Sequence, residues 1–351
     1  MVTPHHQVTA EKANYNTYII QNKKQQCMKP IKFEYLLKST IWAGDDITKI
    51  KDITNKKGIG ESWEISGVPG DETKVIEGDD LGATLPELIE KYGSMLVGEK
   101  NLEQYGTTFP LLIKFISAAQ PLSIQVHPDD AMAQRMGHPY GKTEMWYIVG
   151  STPDASLCSG FTHDFSAEAY SNSLEDGTLE KHLAYHKTQV GDCFFIPAGR
   201  IHSIGAGNFL IEIQQSSNDT FRVYDFNRTD AQGNRRELHV AQAQEALDYK
   251  AYDEYRTHYA QPQNGVSMMV QCPEFTTRLM QTCETIELDY TEIDSFVILI
   301  AYEGEATLTD DMGNTTTLRK GESILLPACN ETLTITPAAG EKFSCVETFV
   351  V

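Results

Sequence analysis

The segment Gln125-Val126-His127-Pro128, Glu144 downstream of it, and the later run Gly191-x5-Pro197-x-Gly199-x2-His202 together offer an amide oxygen, two imidazoles and one carboxylate. Neutral donors with a single anion suit zinc or a similar divalent metal. Gln125 and His127 stand on alternate residues of an expected strand and so project from one face, because side chains in a strand repeat every two residues. Ser123 precedes Gln125 by two and shares that face. Lys142 precedes Glu144 by two, with the same consequence where the segment is extended. These spacings predict a metal centre with a cation beside it.

The elements that must carry these residues are strands. Gly191-Asp192 reads as a turn entering the apolar run Cys193 to Ile196, and Pro197 to Arg200 as the turn leaving it, so that His202 opens the next strand. Phe109 to Ser117 and Leu122 to Val126 read as buried strands. Leu210 to Gln214, Glu284 to Leu288, Ser295 to Tyr302, Glu305 to Thr309, Ser323 to Pro327 and Thr332 to Thr336 add further strands. Helices are few and short: Thr84 to Tyr92, with a capping residue before and Gly93 after, then Phe165 to Leu174 and Thr178 to Leu183. Asp129-Asp130 reads as a helix cap. The pattern predicts a mostly β protein of sandwiches or barrels.

Gly321-x5-Pro327 repeats the spacing of Gly191-x5-Pro197, but no histidine follows it. This predicts a second jelly roll that shares the turn and lacks the metal. Gln261-Pro262-Gln263-Asn264-Gly265 is the strongest linker signal. The expected division is a polar tail over 1–28, with Met28 as an alternative start, a metal-binding catalytic domain over 29–261, and a degenerate jelly roll over 262–351.

At 351 residues with 40% hydrophobic content, the chain is long enough for two cores. A formal net charge of −20 argues against nucleic acid or an anionic membrane as partner. The seven cysteines form no CxxC pair, and an odd count suggests reduced thiols, mostly in the core. No apolar run is long enough for a signal peptide or a membrane span, which points to the cytoplasm. The acidic pairs Asp71-Glu72 and Asp79-Asp80 read as solvated loops.

The Gly191 to His202 run resembles the second motif of the cupin family. The strings Gly60 to Glu64, Pro110 to Lys114, Pro121 to Pro128, Gly141 to Glu144 and Arg222 to Asp225, in that order, are similar to those of type I mannose-6-phosphate isomerases over residues 29 to 351. The resemblance implies two cupin-type jelly rolls and interconversion of mannose 6-phosphate and fructose 6-phosphate through an enediol. It implies one zinc per chain, held by Gln125, His127, Glu144 and His202. Arg222, Glu212 and Lys142 take the catalytic roles, Glu212 near the position of a proton-transfer base. Ser123, Lys114, Lys142, Arg222 and Trp63 take the substrate-binding roles. The partner implied is a small phosphosugar. Two departures stand out: Gly141 replaces a histidine of longer relatives, and Asn218, beside Asp219, replaces an aspartate. One alternative is a metal-containing cupin that binds sugar phosphates or carbohydrate without turnover; another is a cupin of a different enzyme class, such as an iron oxygenase, against which Gln125 in the first ligand position argues.

Overall fold

The strand Leu111–Ala118 shows how this sequence builds its sheets. It is buried at every position, so no polar face marks it. Its even-numbered residues Leu112, Lys114 and Ile116 turn to one side, and Leu111, Ile113 and Phe115 turn to the other. The second set joins a core shared with the C-terminal part of the chain. Lys114 and Ile116 instead line a cavity.

The computed structural model describes residues 28–229 and 233–351. The expected polar tail lies outside them, except for Met28. Residues 31–257 form two main antiparallel sheets. The larger runs in the order Arg256–Thr257, Cys193–Ile196, Glu144–Ser151, Asn208–Gln215, Leu111–Ala118, Ile59–Ser66, Leu36–Ser39. The smaller runs Phe221–Tyr224, Ile124–Val126, His202–Ile204, Ser156–Phe161, Leu183–Lys187. Trp146, Ile148, Phe194 and Leu210 of the larger sheet pack against Leu157 and Ile204 of the smaller.

Residues 265–349 repeat the arrangement. A five-stranded sheet runs Gly265–Gln271, Thr276–Thr282, Phe343–Phe349, Val297–Glu303, Ser323–Leu326, and a four-stranded sheet runs Ile286–Asp289, Thr332–Pro337, Glu305–Asp310, Thr315–Arg319. Between them lies an apolar core that includes Leu299, Leu308, Leu318, Ile324 and Leu333. Both pairs are open sandwiches rather than closed barrels.

The two sandwiches share their outer faces. Phe109 meets Phe296 with ring centroids 4.6 Å apart, and the helices Leu85–Tyr92 and Ser94–Val97 add Leu85, Leu88, Ile89 and Leu96 to that common core. Lys51 crosses the boundary: its Nζ pairs with Glu64 Oε2 at 2.9 Å and donates to the Gly321 carbonyl at 2.7 Å.

The helix Leu85–Tyr92 carries the capping box that Thr84 announces: the Thr84 backbone N–H donates to Glu87 Oε2 at 2.8 Å, and Gly93 ends the helix at φ 54°. Asp129 caps Asp130–Arg135 by accepting from the Met132 N–H at 2.7 Å. Ala167–Glu175 is an α-helix, whereas the expected second helix is a single 3₁₀ turn, Leu179–His182. Asp71 is not simply solvated, because it pairs with Lys38 at the cavity. The cysteine expectation also needs correction. Five described cysteines are free, but Cys329 is disulfide-bonded. Spacing in the sequence shows only near pairs such as CxxC, so its silence did not establish reduced thiols. Among the described residues no helix is long and apolar enough to cross a membrane.

Candidate metal centre and active-site cavity

Register assembles the site. Across the smaller sheet, Arg222 stands opposite Gln125, and Gln125 opposite His202. Across the larger sheet, Trp63 stands opposite Lys114, Lys114 opposite Glu212, and Glu212 opposite Trp146. A cavity of about 430 Å³ lies between the two rows, lined by Trp63, Lys114, Glu212, Gln125, Arg222 and Lys142 among others. Five cationic and three acidic side chains line it, which reverses locally the acidic balance of the chain.

At one end His127, Glu144 and His202 bring their donor atoms within 4.8 Å of one another, all fully buried. His127 Nδ1 is 2.7 Å from the Asp219 carbonyl, and His202 Nδ1 is 2.7 Å from the Arg200 carbonyl. A carbonyl can only accept, so both Nδ1 atoms carry hydrogen and both Nε2 atoms present lone pairs. Those two Nε2 atoms face each other at 3.1 Å and lie 3.5 and 3.4 Å from the Glu144 oxygens. Glu144 Oε1 has no hydrogen-bond partner among the described residues. Converging lone pairs and an unpartnered carboxylate oxygen fit a divalent cation.

The electrostatics agree. Burial, followed by the Lys142 charge, pushes His127 down to about 4, and burial also lowers His202. Both rings therefore stay neutral and available as ligands at neutral pH. Burial opposes the Glu144 charge, yet Lys142 and the two imidazoles hold that carboxyl well below its usual range. Lys142 Nζ lies 2.5 Å from Glu144 Oε2 and 2.9 Å from His127 Nε2. Gln125 sits beside this set. Its amide nitrogen is 3.3 Å from His202 Nε2, and its oxygen accepts from Ser123 Oγ at 3.2 Å. Service as an oxygen ligand requires a half-turn of that amide.

The facing row is a chain of charges and indoles. Lys114 Nζ is 3.0 Å from Glu212 Oε1 and 3.6 Å from Glu61 Oε2. Burial works against its charge, but Glu212 and Glu61 more than offset this, and its pKa lies above that of an ordinary lysine. Trp146 Nε1 donates to Glu212 Oε2 at 2.9 Å, and Trp63 Nε1 to Glu61 Oε2 at 2.7 Å. Arg222 donates through one terminal nitrogen to the Glu237 carbonyl at 2.9 Å, while its buried Nε finds no partner among the described residues.

The structure thus brings Trp63, Lys114, Ser123, Gln125, Lys142, Glu212 and Arg222 to one cavity, and His127, Glu144 and His202 to a buried cluster that Lys142 and Gln125 contact. Sequence reasoning gave no role to Glu61 or Trp146. Trp146 has the parity of Glu144, a signal that was there to be read. Glu61 lies within the Gly60 to Glu64 segment, but its partner Lys114 is on another strand. Both departures have structural accounts. A Cβ at Gly141 would fall 2.5 to 2.7 Å from the backbone of Pro128, Asp129 and Asp130, so no side chain fits there. Asn218 lines the cavity, whereas the Asp219 carboxylate turns to His138 at 2.5 Å.

An antiparallel β-sandwich with two buried imidazoles and a carboxylate converging beside a cation-lined cavity defines a metal-binding, cupin-like enzyme. The family described as phosphomannose isomerase type I, catalytic domain, matches residues 38–147. Mannose-6-phosphate isomerase ManA of Bacillus subtilis (strain 168) is 31% identical over 85% of this chain and 93% of its own length. The mannose-6-phosphate isomerase of Streptococcus mutans is 31% identical over 85% and 92%. A crystal structure of the mannose 6-phosphate isomerase from Bacillus subtilis superposes with a TM-score of 0.82 at 29% identity, covering 92% of this chain and 99% of the other. The chain belongs to the type I phosphomannose isomerases.

Proposed function

We propose that this chain interconverts mannose 6-phosphate and fructose 6-phosphate with one zinc ion held by Gln125, His127, Glu144 and His202. The observation that carries the reading is that Glu212 lines one cavity with Gln125 and Lys142, both of which contact the converging donors His127, Glu144 and His202. A zinc ion bound there would act as a Lewis acid toward substrate oxygens, which suits a reaction that develops negative charge on O1 and O2.

The residues of the chain supply the rest. Glu212 takes the proton from C2 of the open-chain aldose as O1 gains a proton, giving the enediol. Loss of the O2 proton and delivery of a proton to C1 then give the ketose, so atoms balance. Lys114 holds one Glu212 oxygen and so fixes the carboxylate in the cavity. Lys142 places a positive charge at the cavity wall, where it faces developing negative charge on the sugar oxygens. Arg222, with its unpartnered Nε, and the Ser123 hydroxyl serve the phosphate, a fork of donors being suited to it. Trp63 forms an apolar wall for the sugar and carries Glu61 beside it.

The test is a coupled assay of mannose 6-phosphate conversion on metal-analysed protein before and after chelation. Activity lost to the chelator and restored by zinc is expected. Zinc binding without turnover of mannose 6-phosphate would overturn the isomerase assignment, and restoration by another metal alone would overturn zinc.

A further inference from the structure

Trp146 touches both halves of the proposed chemistry and belongs to neither. Its indole is fully buried in the first sandwich. The ring edge meets His202, with centroids 5.4 Å apart and planes at 74°. The indole N–H donates to Glu212 Oε2 at 2.9 Å, while the other oxygen, Oε1, is 3.0 Å from Lys114. Each oxygen of Glu212 is thus held by a different donor from a neighbouring strand: Lys114 from one side, Trp146 from the other.

A carboxylate held at one oxygen can rotate about its terminal bond, whereas one held at both cannot without breaking a charge-assisted hydrogen bond. Such bonds contribute more than neutral ones. A base that takes a proton from one carbon and returns it to the next must keep one lone pair facing the same edge of the substrate throughout. Burial of the indole keeps that geometry dry. A lysine alone would not suffice, because its ammonium is shared with Glu61, 3.6 Å away.

We propose that Trp146 is a positioning residue: its N–H locks the Glu212 carboxylate so that the proton taken from C2 is returned to C1 rather than exchanged with water. The inference rests on the reading of Glu212 as the proton-transfer base. It predicts that loss of the N–H alone loosens the carboxylate, slows turnover and lets the abstracted proton escape.

The experiment compares the full-length, zinc-loaded enzyme with W146F and E212Q, using mannose 6-phosphate deuterated at C2 in ordinary water. The readouts are kcat, KM, bound zinc and the share of fructose 6-phosphate that keeps deuterium at C1. For W146F we expect kcat to fall about 10- to 100-fold, the range for loss of one hydrogen bond to a charged group. KM should stay within about threefold, because the indole does not line the substrate cavity. Retained deuterium should drop relative to wild type. The retained share is a ratio within each turnover, so partial unfolding of the variant does not alter it. If W146F does not accumulate as folded protein, W146H, which keeps a ring N–H, should recover label retention toward wild type.

Unchanged label retention in W146F, at whatever kcat, overturns the proposal. Unchanged turnover in E212Q overturns instead the base assignment beneath it, so the two failures are told apart.

Discussion

The two sandwiches place the same kind of ion pair at the same point of their larger sheets. In the first, the strand after the Gly191 turn pairs with the Trp146 strand, then come the Glu212 strand and the Lys114 strand. In the second, the strand after the Gly321 turn pairs with the Leu299 strand, then come the Glu347 strand and the Arg278 strand. Glu347 stands opposite Arg278 as Glu212 stands opposite Lys114. Leu299 stands opposite Glu347 as Trp146 stands opposite Glu212. The surroundings differ. Glu347 is sealed: Tyr290 donates to it at 2.5 Å, Arg278 packs over the rings of Tyr290 and Phe349, and the rest of the core is apolar. Glu212 opens on a cavity whose further lining residues Gln125 and Lys142 contact the two imidazoles. A buried acid–base pair is therefore compatible with this scaffold without chemistry. What distinguishes the first sandwich is the open space and the donors across it.

The strongest break between the sandwiches comes from the metal ligands. H202A should reduce bound zinc below roughly a tenth of wild type, since even partners behind a ligand are worth 10- to 100-fold in affinity, and turnover should fall with it. N330A, altering a residue just beyond the Gly321 turn, should leave zinc content unchanged by elemental analysis. Loss of zinc in both variants would undo the distinction.

Next in size is the contrast between the carboxylates. E212Q should lower kcat by about 10²- to 10⁴-fold, the usual contribution of a positioned acid or base, with zinc retained. E347Q should leave kcat within about twofold. Comparable losses in both would make Glu212 as structural as Glu347.

Stability should invert that order. E347A leaves the Arg278 guanidinium half of a buried pair uncompensated and should destabilise the fold by about 3 kcal/mol in denaturant unfolding. No measurable change would mean that the sealed pair is inert.

The smallest effect concerns pH. His127 titrates at about 4 in the folded protein, below the value near 6.5 of an unfolded histidine. Between those values the unfolded chain binds more protons, so metal-depleted protein should be most stable above about pH 6.5 and lose stability as pH falls toward 4. The loss from His127 alone should come to about 3 kcal/mol, and His202, also lowered by burial, adds to it in the same direction. Urea midpoints across this window that do not move would contradict the neutral, buried imidazole. Tyr290, which burial and then Glu347 hold well above the ordinary range, adds no titration there.

Residues whose partners are close in sequence were legible. Thr84 with Glu87 announced a helix start, Gly191 to Pro197 a turn, and the parity of Gln125 with His127 a shared face. Strands buried on both faces with polar side chains were not. Ile59–Ser66 holds Glu61, Ser62 and Glu64 among buried positions, so no apolar–polar alternation marks it as a strand. Thr276–Thr282 and Phe343–Phe349 were missed for the same reason. The donors of the metal set were readable from residue type. The rows that bring Trp146 to Glu212 and Glu61 to Lys114 depend on register between strands far apart in the chain, and no spacing within one strand encodes that.

The common core of the two sandwiches has a consequence for how the chain is made. Phe109, Leu111, Ile113 and Phe115 bury their outward faces partly against Phe296, Ile298, Val346 and Val350. At ribosomal speeds of about 5 to 20 residues per second, roughly ten to fifty seconds separate synthesis of the first group from that of the last. Through that interval the nascent strand bearing Lys114 presents an uncovered apolar surface. Chaperone dependence during translation should accordingly end only when the C-terminal strand emerges.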